Sequence, residues 1–355
     1  MRADAAPQMV SARHSLSTAA WYGLFGGTLA IALLVGVSVG SAGPDWWRVP
    51  LEFLDRLPLI SIDSGVSQIE WNIIWKIRTP RVVLGALVGG ILSIAGASYQ
   101  GVFRNPLVDP YLLGAAAGAG LGATFVFTIG RETTESWPVD PVLVASFGAA
   151  LVTVTVTYLV GGAFGAAAGT TLVLAGVAVT AFATAMQTFL LQRNVDVVRE
   201  VYSWILGRLS SATWSDVRLI LPSVIIASVV LVLFRRHLDV FRVGDDEAGA
   251  LGLSVGNTRL VVVIAATLGT AAAVAVSGLI GFVGLIVPHV VRLLVGASYR
   301  LVIPLSLIGG AAFLVLADIP GRTLQGGAET PIGVVTAFLG APFFIYLLRS
   351  GRGPR

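Results

Sequence analysis

The sequence predicts an all-α integral membrane protein with about ten transmembrane helices, on three observations. Only 12% of the 355 residues are charged while 55% are hydrophobic, roughly half the charge that a soluble chain of this length needs to cover its surface. Charge-free stretches recur at the length of about twenty residues with which a helix crosses a bilayer. The 42 glycines would weaken soluble helices, whereas in lipid they let helix backbones approach closely. A membrane barrel would instead show short alternating segments.

The spans follow in order. Residues 15–44 carry no charge and exceed the apolar region of a signal peptide, so an uncleaved first helix is expected, although Ser41, Ala42 and Gly43 mimic a cleavage site. Residues 82–103 and 110–130 give two more, parted by Arg104, Asn105 and Pro106. The charge-free run 142–192 is long enough for two crossings, with a bend between Gly161 and Gly169. Residues 219–234 are the sixth. The run 260–288, broken at Ser277 and Gly278 and resuming through Leu294, allows the seventh and eighth. Residues 301–317 and 331–348 complete ten.

An even number places both termini on one side, expected to be the cytoplasmic one. This gives a single permease domain over 15–350, an N-terminal extension 1–14, a tail 351–355, and an inner loop 235–259. Basic residues are nearly balanced between the two sides, so the positive-inside rule adds little.

Composition also excludes function classes. Lys76 is the only lysine, and no Gly-x-x-x-x-Gly-Lys loop is present to cradle phosphates. His14, His237 and His289 lack metal-ligand spacing, the chain has no cysteine, and no metal site is expected. Serines occur without the His and acid partners of a hydrolase. The net charge of +4 is dispersed between apolar spans, which argues against nucleic acid. Trp46, Trp47, Trp71 and Trp75, in the outer segment 43–77, read as an interfacial belt.

Several residues carry two readings. Gly114, Gly118 and Gly122, and again Gly161, Gly165 and Gly169, line helix faces suited to close packing. Thr180, Thr184, Gln187 and Gln192 share one side of the fifth span, where they either line a water-filled pathway or bond back to their own helix. In the inner loop, Asp245, Asp246 and Glu247 precede a helix expected over 248–255, where Leu251 and Leu253 either face solvent or dock into a partner's groove. Arg78, Arg81 and Arg322 read as exposed guanidiniums at the outer membrane edge, which either snorkel to lipid phosphates or receive carboxylates of a soluble partner.

Two long motifs sharpen these readings. Arg78-Thr-Pro-Arg81, Gln100-Gly-Val-Phe-Arg-Asn-Pro-Leu-Val-Asp-Pro110 and Leu112-Leu-Gly114 resemble the opening of the FecCD permease family. Ser277-Gly-Leu-Ile-Gly-Phe-Val-Gly-Leu-Ile-Val-Pro-His289, Ala317-Asp318, Glu329-Thr-Pro-Ile-Gly-Val-Val-Thr336 and Gly340-Ala-Pro-Phe343 resemble its close. The resemblance implies the permease fold of type II ABC importers for iron(III)-siderophores, haem or cobalamin, with the siderophore first as the commonest cargo. It implies a second permease copy in a homodimer, two cytosolic ATPase subunits carrying ATP and Mg, and an extracytoplasmic substrate-binding protein. This chain would bind no cofactor and catalyse no covalent step. It would lie in the cytoplasmic membrane of a prokaryote.

Carried onto this sequence, Arg78, Arg81 and Arg322 would dock the binding protein. Asp245, Asp246, Glu247, Ala250, Leu251, Gly252 and Leu253 would couple to the ATPases. Asn105, Leu107, Gly169, Thr170 and Thr171 would form the cytoplasmic gate, with Thr180, Thr184 and Gln187 lining the cavity. The extension 1–14 has no counterpart. The rival reading, a secondary transporter driven by an ion gradient, would need intramembrane carboxylates; Asp318 and Glu329 sit only at the edge of a span.

Overall fold

The computed structural model describes residues 16–40, 43–57, 62–130, 137, 139–162, 168–323 and 329–349. The extension 1–14 and the tail 351–355 lie outside them. Among the described residues the chain is helical throughout: α1 (Thr18–Ser38), α2 (Arg48–Asp55), α3 (Gln68–Ile73), α4 (Thr79–Val102), α5 (Ala115–Ile129), α6 (Pro141–Val160), α7 (Ala168–Arg193), α8 (Val198–Ile205), α9 (Trp214–Leu233), α10 (Arg235–Val240), α11 (Asp245–Ala250), α12 (Val255–Ser277), α13 (Val283–Val295), α14 (Tyr299–Thr323) and α15 (Ile332–Arg349). Among the described residues, seven helical segments are long and apolar enough to cross a membrane, and α5, α13 and α15 are shorter apolar helices. Together they are the ten expected.

Helix α4 is the axis of the bundle. It packs against α14, α12, α13, α9 and α1, and 83% of its apolar window is buried inside the chain, against 11% for α1. Glycines permit this crowding. A methyl group on Gly89 would strike the Gly310 carbonyl oxygen of α14, and one on Gly310 would strike that of Gly89. Gly96 meets the backbone of Gly284 in the same way. The predicted stripe at Gly118 and Gly122 does serve close packing, against Ala149 and Ala145 of α6. Gly114 instead takes a left-handed conformation, φ +90°, just ahead of α5, and Gly165 lies outside the described residues.

With α3, a π-helical turn at Ile74–Arg78 extends α4 to 35 residues, about 52 Å at 1.5 Å per residue and well beyond a hydrocarbon core of about 30 Å. Pro80 has no N–H to continue the ordinary ladder, and the Thr79 N–H and hydroxyl both donate to the Ile74 carbonyl, the hydroxyl at 2.8 Å. The protruding end carries the tryptophans. Trp71 stacks on Trp75 at 5.7 Å, and Trp75 meets Trp214 at 5.2 Å. Trp46 and Trp47 are exposed, in keeping with the expected belt.

Two of the irregular stretches between helices, residues 103–114 and 278–282, meet each other. The Tyr111 hydroxyl donates to the Ile280 carbonyl at 3.0 Å and accepts from the Ile280 N–H at 3.1 Å. Nearby, the Arg208 N–H donates to Ser277 and the Gly333 N–H to Leu206. Irregular backbone at membrane depth survives only when its polar groups are satisfied inside the protein. The break expected at Ser277 and Gly278 is real, with Gly278 at φ +68°, but α13 beyond it has only 13 residues.

Candidate functional site

At the end of the bundle that carries the tryptophans, the two residues either side of Thr79-Pro80 and one from α14 come together. Arg78, Arg81 and Arg322 border a cavity of about 190 Å³ with Gly40, Ile73, Ile77 and Glu329. The expectation of exposed guanidiniums is corrected here: the three residues are only 5, 8 and 7% exposed. Each is held by the chain's own acceptors. Arg78 donates to the carbonyls of Ser38 and Val37 at 2.9 and 3.3 Å. Arg81 grips Asp318 with two parallel bonds of 2.8 and 2.9 Å and Glu329 with two more. Arg322 donates to the Gly36 carbonyl and lies 3.7 Å from Asp318. Burial is affordable because planar guanidinium forks match carboxylates in bidentate geometry. Reversing Arg78 and Arg81 to glutamate, the obvious test of docking, would therefore also break the fold.

At the other end, the loop 235–259 forms α10, α11 and the turns between them. The helix expected over 248–255 is corrected: α11 ends at Ala250, Gly252 turns the chain at φ +86°, and α12 starts at Val255. Asp245, Asp246 and Glu247 are the first turn of α11, where the helix dipole favours acids. Asp245 is fastened to Arg259 at 2.7 Å and Arg104 at 3.6 Å, while Asp246, Glu247, Ala250 and Gly252 are exposed. Leu251 stands 71% exposed; Leu253 instead packs against the core.

The expected gate residues occupy two elements. Asn105 and Leu107 sit in the turn after α4, where the Asn105 side chain accepts from the Leu107 N–H at 2.9 Å, and Leu107 is exposed. Gly169, Thr170 and Thr171 lie in the first turn of α7. The polar stripe of α7 divides: Thr184 and Gln192 are exposed, but Gln187 is buried and donates to Thr124 of α5 at 3.0 Å. In the single chain Gln187 fastens two helices.

Sequence reasoning did not find the partners of Arg81, which lie 237 and 248 residues away; the only signal was the presence of Asp318 and Glu329 inside the closing motif. It also missed Gln100, which bridges the Val108 and Gly284 carbonyls at 3.2 and 3.0 Å and accepts from Arg292. No group of His and acids arranged for a metal occurs among the described residues.

A bundle of ten apolar helices around a glycine-packed central helix, with buried ion pairs at one end and an exposed short helix at the other, defines a multi-pass membrane permease. The chain belongs to the FecCD transport family, whose model matches residues 28–350. It is 40% identical to the cobalamin import system permease protein BtuC of Halobacterium salinarum, over 88% of this chain and 82% of that one. It is 36% identical to the hemin transport system permease protein HmuU of Yersinia pestis, over 82% and 88%. Identity is also 36% to the iron(3+)-hydroxamate import system permease protein FhuB of Bacillus subtilis, over 82% and 80%. Among solved structures, an inward-facing conformation described as that of a metal-chelate type ABC transporter superposes with a TM-score of 0.80 at 25% identity, covering 94% of this chain and all of that one.

Proposed function

We propose that this chain is the permease subunit of an ATP-driven importer that moves a bulky metal chelate inward across a prokaryotic cytoplasmic membrane by alternating access, with both termini cytoplasmic. The observation that carries the reading is similarity along nearly the whole chain to permeases named for cobalamin, hemin and iron(3+)-hydroxamate import. Their shared cargo chemistry is a large chelated metal. A ferric siderophore is our first candidate, with haem or cobalamin next.

ATP and Mg belong on two partner ATPase subunits. The exposed tip of α11 and Leu251 would seat in them, so that closure of the ATPase pair moves the turn at Asn105 and Leu107 and the first turn of α7. A second copy of the chain would cover the exposed apolar faces of α7 and α15, which include Leu174, Val177, Phe182, Phe338 and Tyr346, and complete the pathway past Thr180 and Thr184. An ion-gradient mechanism is disfavoured because Asp318, a buried carboxylate at the edge of a span, is already bound at both oxygens by Arg81.

An external binding protein would dock at the arginine cavity, its carboxylates competing with Glu329, whose side chain is 42% exposed. Glu329→Gln is accordingly expected to tighten docking by about tenfold, the equivalent of one charge-assisted contact of roughly 1.4 kcal/mol; weaker docking by surface plasmon resonance would remove the competition argument. Leu251→Asp is expected to abolish stimulation of the ATPase by the assembled permease while leaving the permease's own unfolding within about 0.5 kcal/mol, as befits a surface change. Normal stimulation would separate α11 from coupling.

Uptake tests the whole reading. Cells carrying the chain with its ATPase and binding protein are offered labelled ferric siderophore, haem and cobalamin in parallel. ATP-dependent accumulation of one chelate supports the proposal and fixes the cargo; accumulation that survives loss of the ATPase and collapses with the ion gradient overturns it.

A further inference from the structure

A second cavity, of about 410 Å³, lies where the C-terminal end of α4 meets the last turns of α13, at the membrane face that carries the loop 235–259. Arg104, Arg242, His289 and Arg292 line it with Gln100 and Tyr299, and no acid is among its lining residues. Two carboxylates lie around its rim: Asp245 holds Arg259 and, at 3.6 Å, the lining Arg104, while Asp239 accepts from Ser298 and the Tyr299 N–H.

Two nitrogens of the cavity's lining side chains are left over. Gln100 cannot turn, because its amide nitrogen is committed to two carbonyls, so its oxygen takes one nitrogen of Arg292. The guanidinium also neighbours Tyr299, and its other terminal nitrogen, Nη1, is buried with no hydrogen bond of ordinary geometry among the described residues. One turn earlier on α13, His289 is 9% exposed, packed edge-on against Phe343, and its Nε2 is likewise buried without a partner. Arg242, on the loop side, is exposed and forms no ion pair among the described residues. Buried polar atoms without partners and two neighbouring arginines, Arg242 and Arg292, that form no ion pair among the described residues are both unfavourable, and a bound anion relieves both at once.

We infer that this cavity binds a phosphate group. A carboxylate offers two oxygens in one plane. A phosphate offers several in tetrahedral directions, which suits a cavity whose cationic side chains come from separate elements, α13 and the loop. The group arrives either as free phosphate or on an anionic phospholipid of the adjoining leaflet, for which the exposed Leu293 and Leu294 of α13 give the acyl chains an apolar path. The assignment does not depend on the cargo or on the proposed transport mechanism.

The test uses the full-length chain purified in detergent. Inorganic phosphate is titrated by calorimetry, and retention of phosphatidylglycerol is compared with that of zwitterionic phosphatidylcholine by native mass spectrometry. Saturable phosphate binding, or preferential retention of phosphatidylglycerol, is expected, and Arg242→Gln is expected to weaken it about tenfold or more. Arg242 is exposed, so this variant keeps the fold; His289→Gln, which retains packing volume and a donor, is expected to lose less. Phosphatidylglycerol that millimolar phosphate does not displace identifies the lipid source, and phosphate binding without lipid preference identifies the free anion. No saturable binding of either probe, or binding by Arg242→Gln equal to that of the unaltered chain, overturns the assignment.

Discussion

Asp318→Ala is expected to destabilise the fold by about 3–5 kcal/mol, the range for removing one partner of a buried ion pair. Arg81 would keep only the half-exposed Glu329, and Arg322 would lose the carboxylate 3.7 Å from it. Two guanidiniums would then remain in a site below 10% exposure. Unfolding in mixed detergent and dodecyl sulfate micelles measures the loss. Replacing both members, Arg81→Leu with Asp318→Leu, should recover part of it, since the apolar pair removes the Arg81 charge and leaves Arg322 on the Gly36 carbonyl as the buried guanidinium that has lost its carboxylate. A single variant as stable as the parent would mean that water reaches the pair in the membrane.

Gly310→Val is expected to be nearly as damaging, about 3 kcal/mol, at the upper end of the overpacking range. The new side chain would meet the Gly89 backbone and the Ser93 side chain of α4, and a backbone wall cannot rotate out of the way. The two most intimately packed helices of the bundle would have to separate. Gly148→Ala on α6, where a methyl group meets nothing within 4 Å, is the control and should be close to neutral. Equal melting of the two variants would show that α4 and α14 slide apart at no cost.

The spans were legible because lipid imposes long charge-free runs, and eight such runs, two of them read as a pair of crossings each, give ten crossings without any knowledge of how they pack. The break at Ser277 and Gly278 was visible because a 29-residue run over 260–288 is too long for one upright helix. The length of α13 was not, because its first turn is displaced by an irregular stretch whose hydrogen bonds come from Tyr111, some 170 residues upstream. The same distance in sequence hid the pairing of Arg81 with Asp318: from local patterning an arginine beside a proline at a span's edge looks like a snorkelling residue, and only the fold supplies its carboxylates. Along α7 the periodicity correctly put Thr180, Thr184 and Gln187 on one side, but a shared side is not a shared environment. Thr184 faces outward and Gln187 faces Thr124. In the loop, the acids before Ala248 did mark a helix N-terminus, but one residue run too late, since acids favoured by the dipole also sit inside the first turn.

The phenol of Tyr111 has a mechanical consequence. A helix resists bending along its whole length because each residue carries its own rung, whereas the strand of chain between α12 and α13 is pinned at Ile280 by one side-chain rivet. Any twist of α13 relative to α12 therefore concentrates at that rivet, and the membrane interior need not lose a ladder of backbone bonds for the two helices to change their angle. Stiffness is therefore not uniform along the path from α12 to α13, where a single phenol oxygen serves both polar groups of Ile280.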